Sequence, residues 1–141
     1  MKATRFRERK TIPVGRQGRR RRTERVGALE ALQYLTKGET KVLRDLRARL
    51  RDLLGNRLKA MILFGSKARG DFDPDSDLDV AVIVEGLDRA LKRKVIDVVV
   101  ELEVERLIPF TSLVLSPEEF AALRSRERRI ALDIESEGIL L

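Results

Sequence analysis

One stretch of the sequence, residues 63–84, constrains the fold more than any other. An apolar run ends at Gly65 and Ser66, ten residues follow, and Asp77-Leu78-Asp79 then opens a second apolar run that is rich in β-branched residues. A polar segment with glycines between two apolar runs of this length predicts a strand, a turn and a second strand.

The turn has the residues that an anion site needs. Gly65 and Gly70 permit positive φ angles and let backbone N–H groups approach a bound phosphate, because no Cβ stands in the way. Ser66 adds a hydroxyl donor beside those amides. An ordinary acidic surface turn would need glycines and acids, but not Ser66 and Arg69 at these spacings. We therefore predict that the turn binds phosphate through Gly65 and Ser66.

Two carboxylates follow the turn at a spacing that favours a metal site. Asp77 and Asp79 lie two residues apart, so a strand would project both side chains from one face. Carboxylate oxygens are ligands that Mg²⁺ prefers, with water and substrate phosphates completing its coordination. A phosphate-binding turn beside a Mg²⁺ site indicates a nucleoside triphosphate as substrate.

Arg69 has two possible roles in this stretch. Its guanidinium would bind the triphosphate, or it would brace the turn by pairing with Asp71 or Asp73. The sequence does not decide between these roles.

The motif carries a family resemblance. Gly65-Ser66, ten residues and Asp77-Leu78-Asp79 resemble the signature of the DNA polymerase β-like nucleotidyltransferase superfamily, and Ala68-Arg69-Gly70 with Ser76 resembles its minimal members of the MntA-like antitoxin type. The resemblance extends over roughly residues 37–141. It implies an α/β fold, a small mixed β-sheet with helices packed on one face and a C-terminal helix that closes it.

The resemblance also implies an activity. Such a protein would be a Mg²⁺-dependent nucleotidyltransferase that transfers AMP from ATP to a partner protein, a HEPT-domain toxin. Asp77 and Asp79 would then be the catalytic and metal-binding residues, and Gly65, Ser66 and Arg69 would contact the nucleotide. The alternative is a catalytically weak, nucleotide-dependent binding module that neutralises its partner by complex formation.

One expected feature of the family is missing from the sequence. The polymerase β-like enzymes usually present a third carboxylate from the strand after the crossover helix, whereas residues 110–115 contain no acid. Asp97 would supply it only if residues 95–100 formed a strand. The length of residues 88–107 and their flanking charges favour a crossover helix, which would place Asp97 on a solvated face.

The remaining pattern predicts the other elements. Leucines at helical spacing predict a helix over residues 39–54, and apolar runs predict strands over 59–64, 78–84 and 110–115. Ser116, Pro117 and Glu119 form the signature of a helix start, and one helix is expected from there to about residue 135.

Composition limits the chemistry and the location. The sequence has no cysteine and no histidine, which excludes disulfides, thiol nucleophiles, Cys/His zinc sites and histidine acid–base catalysis. Its longest apolar runs are too short to span a membrane, and no apolar segment follows the basic N-terminus as a signal peptide requires. We expect a cytoplasmic protein.

The basic character of the chain is concentrated at its N-terminus. Residues 1–25 contain eleven Lys or Arg and two Glu, a net charge of +9, whereas the rest contains nineteen basic and twenty-one acidic residues, a net charge of −2. We predict a disordered N-terminal extension over residues 1–36, with a short helix at 26–35, and a nucleotidyltransferase domain over 37–141. Nucleic-acid binding by residues 1–25 is one possible role of the extension, and we favour a solvated extension over it.

Overall fold

The computed structural model describes residues 34–71, 73 and 75–141. The predicted disordered arm, residues 1–25, lies outside the described residues, as does all but the end of the predicted helix at 26–35, so the domain boundary after residue 36 stays a prediction. The described elements follow in the order α1 (Lys37–Leu54), a 3₁₀ turn (Gly55–Arg57), β1 (Leu58–Phe64), α2 (Ser66–Arg69), β2 (Leu78–Val84), α3 (Arg89–Arg106), β3 (Phe110–Leu115), α4 (Pro117–Ser125), α5 (Arg129–Glu137) and β4 (Ile139–Leu140).

The centre of the fold is a mixed sheet of four strands in the order β3-β2-β1-β4. β1 runs antiparallel to both β2 and β4, and β2 runs parallel to β3. The parallel pair needs a long crossover connection, which α3 supplies. The predicted fold class, α/β with a small mixed sheet, is confirmed, and the edge strand β4 is an element that the sequence pattern did not predict.

Helices α1 and α3 cover one face of the sheet. Thr36 begins α1 as its N-cap, and its side chain and that of Glu39 exchange hydrogen bonds with each other's backbone N–H. The predicted leucine stripe is buried, because Leu43, Leu46 and Leu50 pack on the apolar side of the central strands. This layer holds the larger core.

The ambiguous β-branched run lies within α3, as the helix prediction required. Asp88 caps this helix by accepting from the Leu91 N–H at 2.7 Å. Val95, Val99 and Leu102 are buried at helical spacing, whereas Asp97 is exposed. The packing of this stripe against the sheet outweighs the strand propensity of the individual valines.

Helices α4 and α5 cover the opposite face, where Phe120, Ala131 and Ile134 pack on the sheet. The helices therefore lie on both faces and not on one as predicted, because the strands are apolar on both sides. The start of α4 is confirmed, since Ser116 and Glu119 form the predicted capping box with Pro117 in the first turn. The prediction of a single helix from there to about residue 135 is wrong. The chain turns at Glu127, which has a φ of 54°, and the turn allows both helices to pack on the sheet.

Candidate active site

The turn after β1 lies directly against a carboxylate of β2. Gly65 has a φ of 77°, and a Cβ built on it would overlap the Asp79 carboxylate, with Asp79 Cγ at 3.0 Å. Only glycine satisfies both conditions without a shift of the neighbouring atoms. The turn and the carboxylate, two parts of the predicted site, are therefore in contact.

The turn continues as the short helix α2. The Gly65 carbonyl accepts from the N–H groups of Ala68 and Arg69, each at 3.1 Å, and the half-buried Ser66 begins the helix. Gly70 ends it in the left-handed conformation with a φ of 87°. A Cβ at Gly70 would lie 2.7 Å from Cζ of Tyr34, so the ring of Tyr34 packs against the end of the turn.

The two predicted carboxylates lie at one end of the sheet. Asp79 pairs in register with Phe64 at the end of β1 and with Thr111 at the start of β3, and Asp77 directly precedes β2. The Thr111 hydroxyl donates to Asp77 Oδ2 at 3.2 Å. The sheet register therefore brings the turn, both acids and one residue of β3 together.

The electrostatics of Asp79 reflect this crowding. Burial and the neighbouring negative charge of Asp77 raise its pKa above the ordinary value, whereas the Thr111 hydroxyl and the positive charge of Arg69 act in the opposite direction. A half-buried carboxylate beside a second one is stabilised by a cation. Perturbation of this kind is typical of functional sites.

No third acid completes the pair in the part of the chain that the structure describes. Thr111 occupies the position beside Asp79 on β3, and Asp97 lies on the exposed side of α3. No group of three or more Asp or Glu residues is arranged for metal binding among the described residues. A bound metal would have Asp77 and Asp79 as its acidic ligands there.

Arg69 pairs with acids from two parts of the chain. Its Nε donates to both carboxylate oxygens of Asp71 at 3.2 Å, which is the pairing that one of its two predicted roles required. Its Nη1 donates to Glu137 Oε1 at 2.9 Å. Both pairs raise the pKa of Arg69. The sequence pattern did not indicate Glu137, which lies 68 residues away in α5.

A buried ion pair below the turn was also missed. Lys67 is only 2% exposed, and its Nζ lies 2.6 Å from Oε2 of Glu39, which is 8% exposed. Because Glu39 also belongs to the capping box of α1, this pair connects the start of α1 to the turn. The spacing of Thr36 and Glu39 was a sequence signal for the helix start, but nothing local indicated that Lys67 would be buried.

Comparison with known proteins places the chain in a family. Residues 43–138 match the model of the nucleotidyltransferase domain family, which is more than half of the chain. The chain belongs to this family. The motif predicted a nucleotidyltransferase, and at the level of this family the prediction is confirmed.

Individual relatives are more distant. A protein of Methanocaldococcus jannaschii, named "Putative protein adenylyltransferase MJ0141", is 39% identical over 44 residues, which are 31% of this chain and 44% of that protein. The chain therefore spans less than half the length of this curated relative.

Two solved structures resemble the chain loosely. One, described as a toxin-antitoxin with AMP-PNP, has a TM-score of 0.47 and 22% identity and covers 71% of this chain and 69% of its own. The other, described as a putative nucleotidyltransferase from Sulfolobus solfataricus, has a TM-score of 0.42 and 18% identity, with coverages of 81% and 85%.

The described helices were also compared with the requirements of a membrane span. None of them combines the length and the apolar character that crossing a bilayer demands.

Proposed function

We propose that this chain is a Mg²⁺-dependent adenylyltransferase that transfers AMP from ATP to a partner protein and acts as an antitoxin toward a HEPT-domain toxin. Family membership supports nucleotidyl transfer, and the motif resemblance supports the finer assignment. The observation that carries the proposal is the contact between Gly65 and the Asp79 carboxylate, because it joins a phosphate-binding turn to a metal-binding pair.

The residues present fit a magnesium ion. Asp77 and Asp79 offer hard carboxylate oxygens at one end of the sheet, and the pKa of Asp79 is raised by burial and by the charge of Asp77, as expected of acids placed together to share a cation. These two residues would hold the ion. When bound, Mg²⁺ neutralises charge on the triphosphate and makes the α-phosphorus a better electrophile.

The protein itself contributes mainly position and charge. The N–H groups of Gly65 and Ser66 and the Ser66 hydroxyl would hold the β- and γ-phosphates, which fixes the α-phosphate beside the carboxylates. A hydroxyl oxygen of the partner then bonds to the α-phosphorus, the bond from that phosphorus to the β-phosphate oxygen breaks, and pyrophosphate leaves. The hydroxyl proton passes to water.

The direct test is transfer of AMP to a co-expressed partner from ATP labelled at the α-phosphate. Label on the partner with the wild type, and its loss in Asp77→Asn combined with Asp79→Asn, is the expected result. The double variant keeps the side-chain shapes and removes the anionic ligands, so its Mg²⁺-ATP affinity should also collapse. Unchanged Mg²⁺-ATP binding by a folded double variant would refute the proposed site.

A second function is favoured by one observation, the absence of an acid from β3. A site with Thr111 beside Asp79 and two acidic ligands fits a nucleotide-dependent module that neutralises its partner by binding alone. In that case the partner would be neutralised without acquiring label, and neutralisation would still require Mg²⁺-ATP.

A further inference from the structure

Arg69 is held from two sides by carboxylates. Asp71 faces its Nε at 3.2 Å, and Glu137 accepts from its Nη1 at 2.9 Å. A guanidinium is planar, so fixing two of its nitrogens also fixes the direction of the third. Nη2 hydrogen-bonds to none of the residues that the structure describes, so within that part of the chain both of its hydrogens are available for donation.

The guanidinium belongs to the candidate site by position as well as by sequence. Arg69 is in the helical turn that begins at Gly65, and its backbone N–H donates to the Gly65 carbonyl at 3.1 Å. Its side chain is 40% exposed, and its charge acts on Asp79. An arginine beside the turn, with donors left over from its ion pairs, is suited to bind an anion there.

The two carboxylates differ in how firmly they are held. Asp71 follows the turn with its side chain 64% exposed, whereas Glu137 is 31% exposed and ends α5. Ala131 and Ile134 anchor that helix in the core, and the strand after it pairs with β1. Glu137 is therefore the firmer of the two supports for the guanidinium.

We propose that Glu137 is a positioning residue for nucleotide binding: it holds Arg69 so that Nη2 faces the triphosphate, and it couples the C-terminal helix α5 to the nucleotide site. This inference rests on the proposed function. Arg69 would then have both of the roles that the sequence left open, since it pairs with Asp71 in the turn and would also bind the triphosphate. The ion pair with Glu137 would hold the guanidinium in place before the phosphates bind.

Helix α5 also provides a matched control. Glu135 lies two residues before Glu137, its side chain is 32% exposed, and it pairs with Arg124 of α4 at 3.1 Å. The two ion pairs are nearly equal in length and exposure, but Arg124 lies outside the turn. Loss of either pair should lower the melting temperature to a similar small extent, and only loss of the Glu137 pair should change nucleotide binding.

The experiment measures the dissociation constant of Mg²⁺-ATP by calorimetry, and the melting temperature, for Glu137→Ala, Glu137→Gln and Glu135→Ala. We expect Glu137→Ala to weaken binding by about 3- to 10-fold, in the range of direct pair couplings. Glu137→Gln, which retains an acceptor oxygen, should retain part of the affinity, and Glu135→Ala should stay within about twofold of the wild type.

A double-mutant cycle with Arg69→Ala separates positioning from a general structural effect. In the Arg69→Ala background, Glu137→Ala should cause no further loss of affinity, because there is no guanidinium left to position. A loss that persists in that background, a loss equal to that of Glu135→Ala, or tighter binding would overturn the inference. Failure of the proposed function itself would appear separately, as Mg²⁺-ATP binding that is unaffected by Asp77→Asn with Asp79→Asn.

Discussion

Two cations of α2, Lys67 and Arg69, are two residues apart and have opposite environments. Side chains at this spacing point about 200° apart around a helix, so one faces the interior of the protein and the other faces its surface. Lys67 is 3% exposed by its side chain and pairs with Glu39, whereas Arg69 is 40% exposed and pairs with acids that are themselves partly exposed. Lys67 thus attaches the turn to the core of the protein, whereas Arg69 remains accessible at the surface.

This difference shows how a four-residue helix can be fixed to the core by one ion pair and still leave a cation at the surface. The ion pair of Lys67 is buried, and the low dielectric constant of the interior makes the attraction between the two charges strong. For the same reason an unpaired charge there would be costly. The ion pairs of Arg69 are accessible to water, so the loss of either one should cost the protein little stability.

Breaking the inner pair should affect stability most. Lys67→Met leaves the carboxylate of Glu39 buried without its cation, and the unfolding free energy should fall by about 3–5 kcal/mol in a urea titration. The control is Lys59→Met, because Lys59 and Glu85 form an exposed pair of 2.9 Å with exposures of 47% and 60%. That change should cost less than about 1 kcal/mol. Equal losses in the two variants would mean that the burial of Lys67 does not matter.

The contact between the turn and Asp79 should show the next largest effect. Gly65→Ala places a Cβ on the Asp79 carboxylate at a positive φ, whereas Gly86 has a φ of 67° and a Cβ added to it would meet no heavy atom within 4 Å. Gly86→Ala should therefore cost only the backbone strain, about 1–2 kcal/mol. Gly65→Ala should cost more than this and should also abolish Mg²⁺-ATP binding. Equal costs for both variants, with binding retained, would contradict the close approach of turn and carboxylate.

Removing the charge of Asp79 should stabilise the protein in the absence of metal. Its folded pKa is raised above the ordinary value of 3.8, so the folded state binds the proton more tightly than the unfolded state. The contribution of Asp79 to stability is then fully present below pH 3.8 and is lost as the pH rises through the folded pKa. Asp79→Asn should therefore have a higher unfolding free energy than the wild type at about pH 7, and the difference should shrink toward about pH 3.

The pKa of Asp79 should also depend on Arg69, because the positive charge of Arg69 lowers it. Arg69→Gln should raise that pKa further, which a carboxyl NMR titration measures directly. Arg124→Gln, which removes an arginine of similar exposure outside the turn, should leave the Asp79 titration where it is. If the pKa of Asp79 shifted equally in both variants, Arg69 would have no specific interaction with Asp79.

The parts of the site that the sequence predicted are local, and the parts that it missed are distant. Gly65, Ser66, Asp77 and Asp79 lie within one strand–turn–strand unit, so spacing alone places them together. Thr111 enters the site only through the parallel register of β2 and β3, and Glu137 only through the packing of α5 on the sheet. Neither the strand register nor the packing of α5 can be read from the spacing of residues in the sequence.

The fold shows the same division. The bounds of β2 and the capping box at Ser116 follow from residues next to one another, and both were predicted. The break between α4 and α5 was not, because residues 126–128 are Arg-Glu-Arg, which are good helix formers. The burial of Lys67 also contradicts the usual exposure of lysine, and only the position of Glu39 in three dimensions explains it.

The smallest effect is expected at Asp97, which would have been a third ligand only if residues 95–100 had formed a strand. Its place on the exposed side of α3 keeps it outside the group formed by the turn, Asp79 and Thr111, so Asp97→Asn should change the rate of AMP transfer by less than about tenfold, or about 1.4 kcal/mol. Asp77→Asn and Asp79→Asn, assayed beside it at saturating Mg²⁺, should each lose far more. The position that a third ligand would take is that of Thr111, so Thr111→Asp should increase metal affinity if the site accepts another carboxylate. If Asp97→Asn lowered the rate of AMP transfer as much as Asp79→Asn, α3 would have to rearrange when the nucleotide binds. Asp97 would then be a third acidic ligand of the metal.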